Sequence, residues 1–302
     1  MEKYLFSIPD SYGVRLLNRS LLVAIKKYPE WFYDDFIIDT AYGCSPTCIW
    51  NGGRGDADIG YKEGWTGEVL RMYDSFGVKY RLVFTNLLLR KEHLNDYEGN
   101  ELCKVADQLG CYVMVSLPMM ADYLKRRYRN IRVCWSTTTK YGKTTDEIIA
   151  KINQLSKDTV AVLPYQYNNK PEIEKLAHPE NIEVLVNEMC IDNCPFRRQH
   201  WEAVSKGILR GFVKEDESIC HFPEKYADRT LYREHFIPRE RFSWYKEHGI
   251  VKLKISGRSS PKQCYNSFVD YMIRPGQEMN FKKFALEYEK TFLEKGVGLE
   301  EV

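Results

Sequence analysis

The chain has 302 residues and 44% hydrophobic content, enough to bury one large core, and α/β barrels reach this length as a single domain. Its 44 Lys and Arg nearly balance 42 Asp and Glu, so the formal charge of +2 gives no overall field pointing to a nucleic acid or an anionic membrane. No stretch approaches the roughly 18 apolar residues of a membrane span, and the opening Met1-Glu2-Lys3-Tyr4-Leu5-Phe6-Ser7-Ile8-Pro9 is too short in apolar length for a secretory leader, so a cytoplasmic protein is expected.

Short β-branched apolar runs alternate with longer segments of helical spacing, the pattern of βα units and a parallel sheet. A strand is expected at Tyr4–Ile8 and a helix at Val14–Lys27. The next strand, Asp35–Thr40, is followed by a long connection, Thr40–Thr66, and a helix at Thr66–Phe76. Strand Lys79–Thr85 precedes helix Gly99–Leu109, strand Tyr112–Leu117 precedes helix Met120–Tyr128, and strand Ile131–Ser136 precedes helix Thr144–Leu155. Strand Thr159–Pro164 precedes a short helix at Pro171–Leu176, and strand Ile182–Asn187 a helix at Phe196–Lys206. A second long connection, Gly207–Gly249, leads to the eighth strand, Ile250–Ile255, and a last helix at Pro261–Tyr271. Thr144-Thr145-Asp146-Glu147 reads as a capping box, and Gly77 and Gly110 follow helix ends.

Eight strands favour a TIM-like (β/α)8 barrel, one domain over residues 1–302, with an insertion at about 207–249 before the eighth strand. An open doubly wound sheet is the competing architecture, and both bind ligands at the carboxyl ends of the strands. Asp39, Asn86, Ser116, Ser136, Asn187 and Lys254 are polar residues expected at those ends.

Nine cysteines in a chain of this length and expected compartment point away from a disulfide framework and toward metal binding, chemistry or plain burial. Cys103, Cys111 and Cys134 sit in apolar patterns and read as small core hydrophobes. Cys190 and Cys194 follow the seventh strand just ahead of a helix N-terminus, with Arg197 and Arg198 close behind. Such a setting lowers thiol pKa and offers N–H groups to bound sulfur. Cys220 lies in the insertion, and Cys264 follows the eighth strand. Four thiols suit an iron–sulfur cluster or a structural zinc by count, with metal-free burial as the third reading.

Asn187-Glu188-Met189-Cys190, with Cys194-Pro195, a later cysteine, and Lys254-Ile255-Ser256-Gly257-Arg258 with Cys264 beyond, resembles peptidase family U32 and its relatives in oxygen-independent hydroxylation of ubiquinone precursors and RNA. The motifs cover mainly Ile182 to Tyr271. The resemblance implies a barrel and a 4Fe-4S cluster on Cys190, Cys194, Cys220 and Cys264, while by donor count zinc stays the alternative metal. It implies an oxygen-independent hydroxylase or related redox modification enzyme. The alternatives are a U32-type peptidase or a non-catalytic partner subunit stapled by the metal, since some members act in pairs. The first two cysteines stand closer together than is usual in that family, and no counterpart of its C-terminal extension is expected within these residues.

Cys44 and Cys48 repeat the spacing of Cys190 and Cys194 after the second strand, which makes Cys44 an alternative ligand, the pair a possible redox dithiol, or both inert. Trp50-Asn51-Gly52-Gly53-Arg54 permits a backbone nest that closes on an anion, or a plain turn. Asn51, Arg54, Asn86, Asn187, Lys254 and Arg258 are the expected substrate-binding residues, and Glu188 the expected acid or base, unless it only pairs with Lys254 or Arg258. His200 reads as a surface or supporting residue and His221 as a weak metal ligand. The basic run Lys125-Arg126-Arg127-Tyr128-Arg129 reads as a solvated face at the far end of the barrel, with an RNA contact as the alternative. The substrate, a small molecule or an RNA, is not identified by these residues.

Overall fold

The computed structural model describes residues 2–11, 13–45, 47–52, 67–188, 190–191, 194–211, 234–257 and 260–295. Eight parallel strands pair in chain order: β1 Tyr4–Pro9, β2 Phe36–Gly43, β3 Lys79–Phe84, β4 Tyr112–Val115, β5 Arg132–Trp135, β6 Ala161–Val162, β7 Ile182–Leu185 and β8 Lys252–Lys254. β8 pairs with β1 and closes the ring. Around it run α1 Arg15–Lys27, α2 Glu68–Ser75, α3 Tyr97–Gln108, α4 Pro118–Arg127, α5 Thr145–Ser156, α6 Arg197–Leu209, α7 Phe242–Glu247, α8 Pro261–Tyr271 and α9 Glu278–Lys295. This is a TIM-like (β/α)8 barrel. Among the described residues no helix is long and apolar enough to cross a membrane.

Alternation along each strand sorts residues between two environments. Phe6, Ile8, Tyr80, Leu82, Phe84, Val113, Val115, Ile182, Val184 and Leu253 are buried in the main apolar core. The other face holds charge. Arg81 on β3 donates to both carboxylate oxygens of Glu183 on β7, at 2.8 and 2.6 Å, although those strands are not neighbours in the sheet, so the pair spans the barrel interior. Lys254 on β8 lies 3.8 Å from the same carboxylate, and Ser7 on β1 donates to it at 2.5 Å while hydrogen-bonded to Thr40 on β2. Strands β1, β2, β3, β7 and β8 therefore meet around one buried carboxylate.

Burial alone would raise the Glu183 carboxyl, but Arg81, Lys254 and the Ser7 hydroxyl outweigh it and hold it below its ordinary value. Burial likewise pushes the neighbouring Cys134 thiol up to about 11, with Arg81 opposing, so this cysteine is a neutral space-filler.

Several boundaries differ from those the sequence suggests. β2 runs on to Gly43, and its pairing with β1 slips one residue between Phe6 and Ser7, leaving Asp39 as the extra residue of a bulge. Asp39 therefore sits within the strand rather than at its carboxyl end. Gly43 has the reason of close approach: a Cβ there would come within 2.5 Å of the Asp10 carbonyl and the Tyr80 hydroxyl. The expected helix at Pro171–Leu176 is a single 3-10 stretch, Pro171–Lys175, because His178-Pro179 follows too soon for an α-helix to propagate. Within the insertion, Ile237 donates from its backbone to Val186, and α7 buries Phe242 and Tyr245 against the barrel. Cys220 and His221 lie outside the described residues. α9 continues beyond the eight βα units and packs on α1, with Tyr28 and Phe284 ring centroids 5.5 Å apart.

Replacing Glu183 by Gln would leave Arg81 and Lys254 without their shared counter-charge, and urea unfolding should register a loss of about 3–5 kcal/mol. Because the folded-state value is depressed, the carboxylate's contribution is full above its unfolded value of roughly 4.3 and is lost as pH falls through the lower folded value. The variant should therefore show a smaller loss of stability on acidification below about pH 4. A variant as stable as the parent would contradict this role for the pair.

Candidate functional site at the barrel mouth

A cavity of about 420 Å³ opens over the carboxyl ends of the strands. That volume suits one small molecule or one residue or base of a larger substrate. Its walls come from β2, β3, β4, β6, β7 and β8 and from the first two turns of α6. Lys254 and Glu188, expected near substrate, both line it, and so does Cys190.

Lys254 stands with its ammonium 3.7 Å from the Tyr42 ring centroid and 3.6 Å from the Met114 sulfur. A cation over an aromatic face gains about 0.5–2 kcal/mol, which fixes the amine where the side chain would otherwise be free to turn. Tyr42 is itself held by its hydroxyl, which donates to the Ile255 carbonyl at 2.6 Å. Thr85, Ser136, Thr138 and Ser256 bring hydroxyl-bearing side chains to the cavity lining.

The β7–α6 loop forms a further wall. Arg197 lies 4.0 Å over the Tyr165 ring and 4.6 Å over Trp201, and donates to Glu188 at 3.0 Å. Glu188 therefore pairs with Arg197, while Lys254 keeps to Glu183. The second Glu188 oxygen accepts from the Cys190 backbone N–H at 3.0 Å, and the Tyr165 hydroxyl donates to the Ile191 carbonyl at 2.6 Å. These bonds fix the segment that carries Cys190. Burial pushes the Cys190 thiol up, opposed by Arg197 and by the Tyr165 hydroxyl.

Cys190 and Cys194 are half-buried at the entrance to α6, with the Arg197 backbone N–H donating to the Cys194 carbonyl at 3.2 Å. Cys264 is fully buried on α8 and donates to the Gly257 carbonyl at 3.0 Å. Gly257 separates that sulfur from the cavity: it lines the opening, its φ is 132°, and a Cβ there would sit 3.1 Å from the Cys264 sulfur. A glycine at this place accommodates both the positive φ and the close sulfur. Cys190 thus lines the cavity with Cys194 following it in the same loop, while Cys264 lies behind Gly257 on α8; thiols are a donor chemistry suited to soft metals. Among the described residues no three His, Cys, Asp or Glu side chains already converge as a metal site, and Cys220, the fourth expected donor, is not among them.

Cys44 and Cys48 are buried and do not line the cavity. Burial and the adjacent Cys44 push the Cys48 thiol well up, and Cys48 donates to Asp96 at 3.8 Å. The polar asparagines are deployed as clips. Asn86 donates to the Ile49 and Ser205 carbonyls at 2.9 and 3.2 Å, tying β3 to the β2 loop and to α6. Asn187 donates to the Ser256 carbonyl and the Ser267 hydroxyl and accepts from the Ser256 N–H at 2.6 Å, which locks the β7 and β8 ends together. Asn51 is buried and reaches the Ser45 carbonyl at 3.5 Å. Arg54 and Arg258 lie outside the described residues. His200, which the sequence reads as peripheral, faces the cavity together with Trp201 and Gln263. The available signal was the run Arg197-Arg198-Gln199-His200-Trp201 in the turns of α6 nearest the thiols.

No family model matches the chain, and no curated protein matches it in sequence. Solved structures do. The U32 peptidase Mk0906 superposes with a TM-score of 0.51 at 16% identity, covering 85% of this chain and 94% of that one. The spore cortex-lytic enzyme SleL of Bacillus cereus gives 0.38 at 12% identity over 90% of this chain and 75% of its own. A chitinase of Rhizomucor miehei gives 0.36 at 10% identity over 85% and 95%. The chain shares the barrel fold of a U32 peptidase.

If Asn187 clips the β7 and β8 ends together, Asn187→Ala should cost about 1–3 kcal/mol by stranding the half-buried Ser256 N–H. Hydrogen exchange should accelerate in peptides covering 182–191 and 250–257 and stay unchanged in α3 and α5. Unchanged exchange at Ser256 would contradict the clip.

Proposed function

We propose that this protein is a U32-like iron–sulfur enzyme that modifies a small polar molecule, or one base of an RNA, by an oxygen-independent hydroxylation or related redox step. Cys190, Cys194, Cys220 and Cys264 would hold a 4Fe-4S cluster, with Cys44 as the alternative to one of them and zinc as the alternative metal. The observation that carries the reading is Cys190 in the wall of the cavity, with Cys194 in the same loop and Cys264 bonded to the Gly257 that lines the opening. When bound, such a cluster would supply one-electron chemistry.

The chain's own residues then have separable tasks. Lys254, held by Tyr42 and Glu183, presents a fixed cation at the cavity floor for a polar or anionic part of the substrate. Arg197, stacked between Tyr165 and Trp201, sets positive charge beside Cys190, which opposes the burial that pushes its thiol up. Glu188 is oriented by Arg197 and by the Cys190 backbone, so that it can exchange a proton with a ligand at the rim.

A hydrolytic reading is supported by the fold shared with a U32 peptidase and by Cys190 and His200 facing the same cavity. The two readings part on composition. Protein purified without oxygen should carry about four iron and four sulfide per chain and absorb broadly near 400 nm. Cys190→Ala and Cys194→Ala should each abolish the iron, whereas Cys103→Ala should not. Stoichiometric zinc without sulfide, or peptide cleavage by a metal-free protein that Cys190→Ala abolishes, would overturn the cluster.

A further inference from the structure

Among the described residues six large hydrophobic side chains are exposed, and three of them, Met279, Leu286 and Leu293, stand on α9 at 57%, 59% and 71% exposure. They recur at a heptad interval. On an α-helix that spacing drifts by only about 20° per step, so the three form one stripe, spaced roughly 10.5 Å apart. The opposite stripe, Phe281, Phe284 and Tyr288, is buried against the barrel domain. α9 thus has two apolar faces, and the fold uses one.

We propose that α9 is a self-association helix, through which two copies of this chain pair antiparallel about a two-fold axis at Leu286. The stripe is symmetric about that residue. Leu286 would meet its own counterpart, and Met279 would meet Leu293 of the second copy. The same operation brings Lys282 opposite the second copy's Glu289, and the reverse, so two complementary pairs form. On the other flank Lys283 approaches the second copy's Lys290, whose charge is already balanced by Glu294 at 3.9 Å. α9 carries four Lys and four Glu, and a neutral helix can lie against itself while offering no field to an anionic membrane or a nucleic acid. Beside the stripe an apolar groove of about 890 Å³, walled by Leu17, Met72, Tyr265, Leu286 and Leu293, extends the contact surface toward α1, α2 and α8. One helix stripe makes a small interface, so the dimer should be weak and concentration-dependent.

Sedimentation of the full chain over a concentration series should show a monomer–dimer equilibrium. Leu286→Glu should abolish it while leaving the melting temperature and far-ultraviolet circular dichroism unchanged, because the side chain is exposed. Glu289→Lys should weaken it by roughly fivefold to tenfold through two lost exposed pairs, and adding Lys282→Glu should restore it. The Leu286→Cys variant should cross-link to itself on mild oxidation. A monomer at every concentration overturns the proposal and leaves the stripe to residues 296–302 or to a different protein. A dimer that survives Leu286→Glu, or a Leu286→Cys variant that dimerises without cross-linking, overturns it equally.

Discussion

The buried carboxylate of Glu183 is the point on which this barrel turns. It accepts both hydrogen bonds of Arg81 from across the interior, takes a third from Ser7, and neutralises part of Lys254. Taking such charges out of water costs several kcal/mol per ion, and the cost is offset only when every partner is in place. A barrel lined with valine and leucine would be at least as stable. What the charged interior adds is position: strands β1, β2, β3, β7 and β8 are held in one register by a constellation that a slip of one residue would destroy. Lys254 is the uppermost member, and it is also the cavity floor.

From that floor outward, each layer fixes the next. Tyr42 holds Lys254 from one side, and its hydroxyl ties β2 to the end of β8. Asn187 then joins the β7 and β8 ends, and Asn86 joins β3 to α6. The loop bearing Cys190 and Cys194 and the turn into α8, which carries Cys264, thus leave a rigid frame rather than a flexible one. Gly257 follows from the same logic, since a side chain there would stand against the Cys264 sulfur.

The alternation of β-branched runs and helical spacing was sufficient to read the barrel and its strand order, because each βα unit carries its own period. It was insufficient where tertiary contacts override local pattern. Asp39 reads as a strand end, yet the bulge opposite Phe6 and Ser7 carries β2 on to Gly43. Arg81 and Glu183 lie inside apolar runs and look like isolated polar interruptions, because their partnership joins residues 102 positions apart. At the mouth, Lys254, Glu188 and Cys190 were legible from their places after strands, while Tyr42, His200 and Trp201 were not, since their facing depends on how far β2 extends and how α6 is rolled. Asn86 and Asn187 stood out for the right reason, being polar at strand ends, but their amides serve neighbouring loops. α9 follows the eight βα units, where no repeat predicts it.

If the thiols at this mouth hold an iron–sulfur cluster, anomalous diffraction from crystals grown without oxygen is the most direct test. Data collected above and below the iron absorption edge should give one compact peak beside the cavity, within bonding distance of the Cys190 and Cys194 sulfurs. A map with no iron peak there, or a single peak that responds only at the zinc edge, would contradict the cluster.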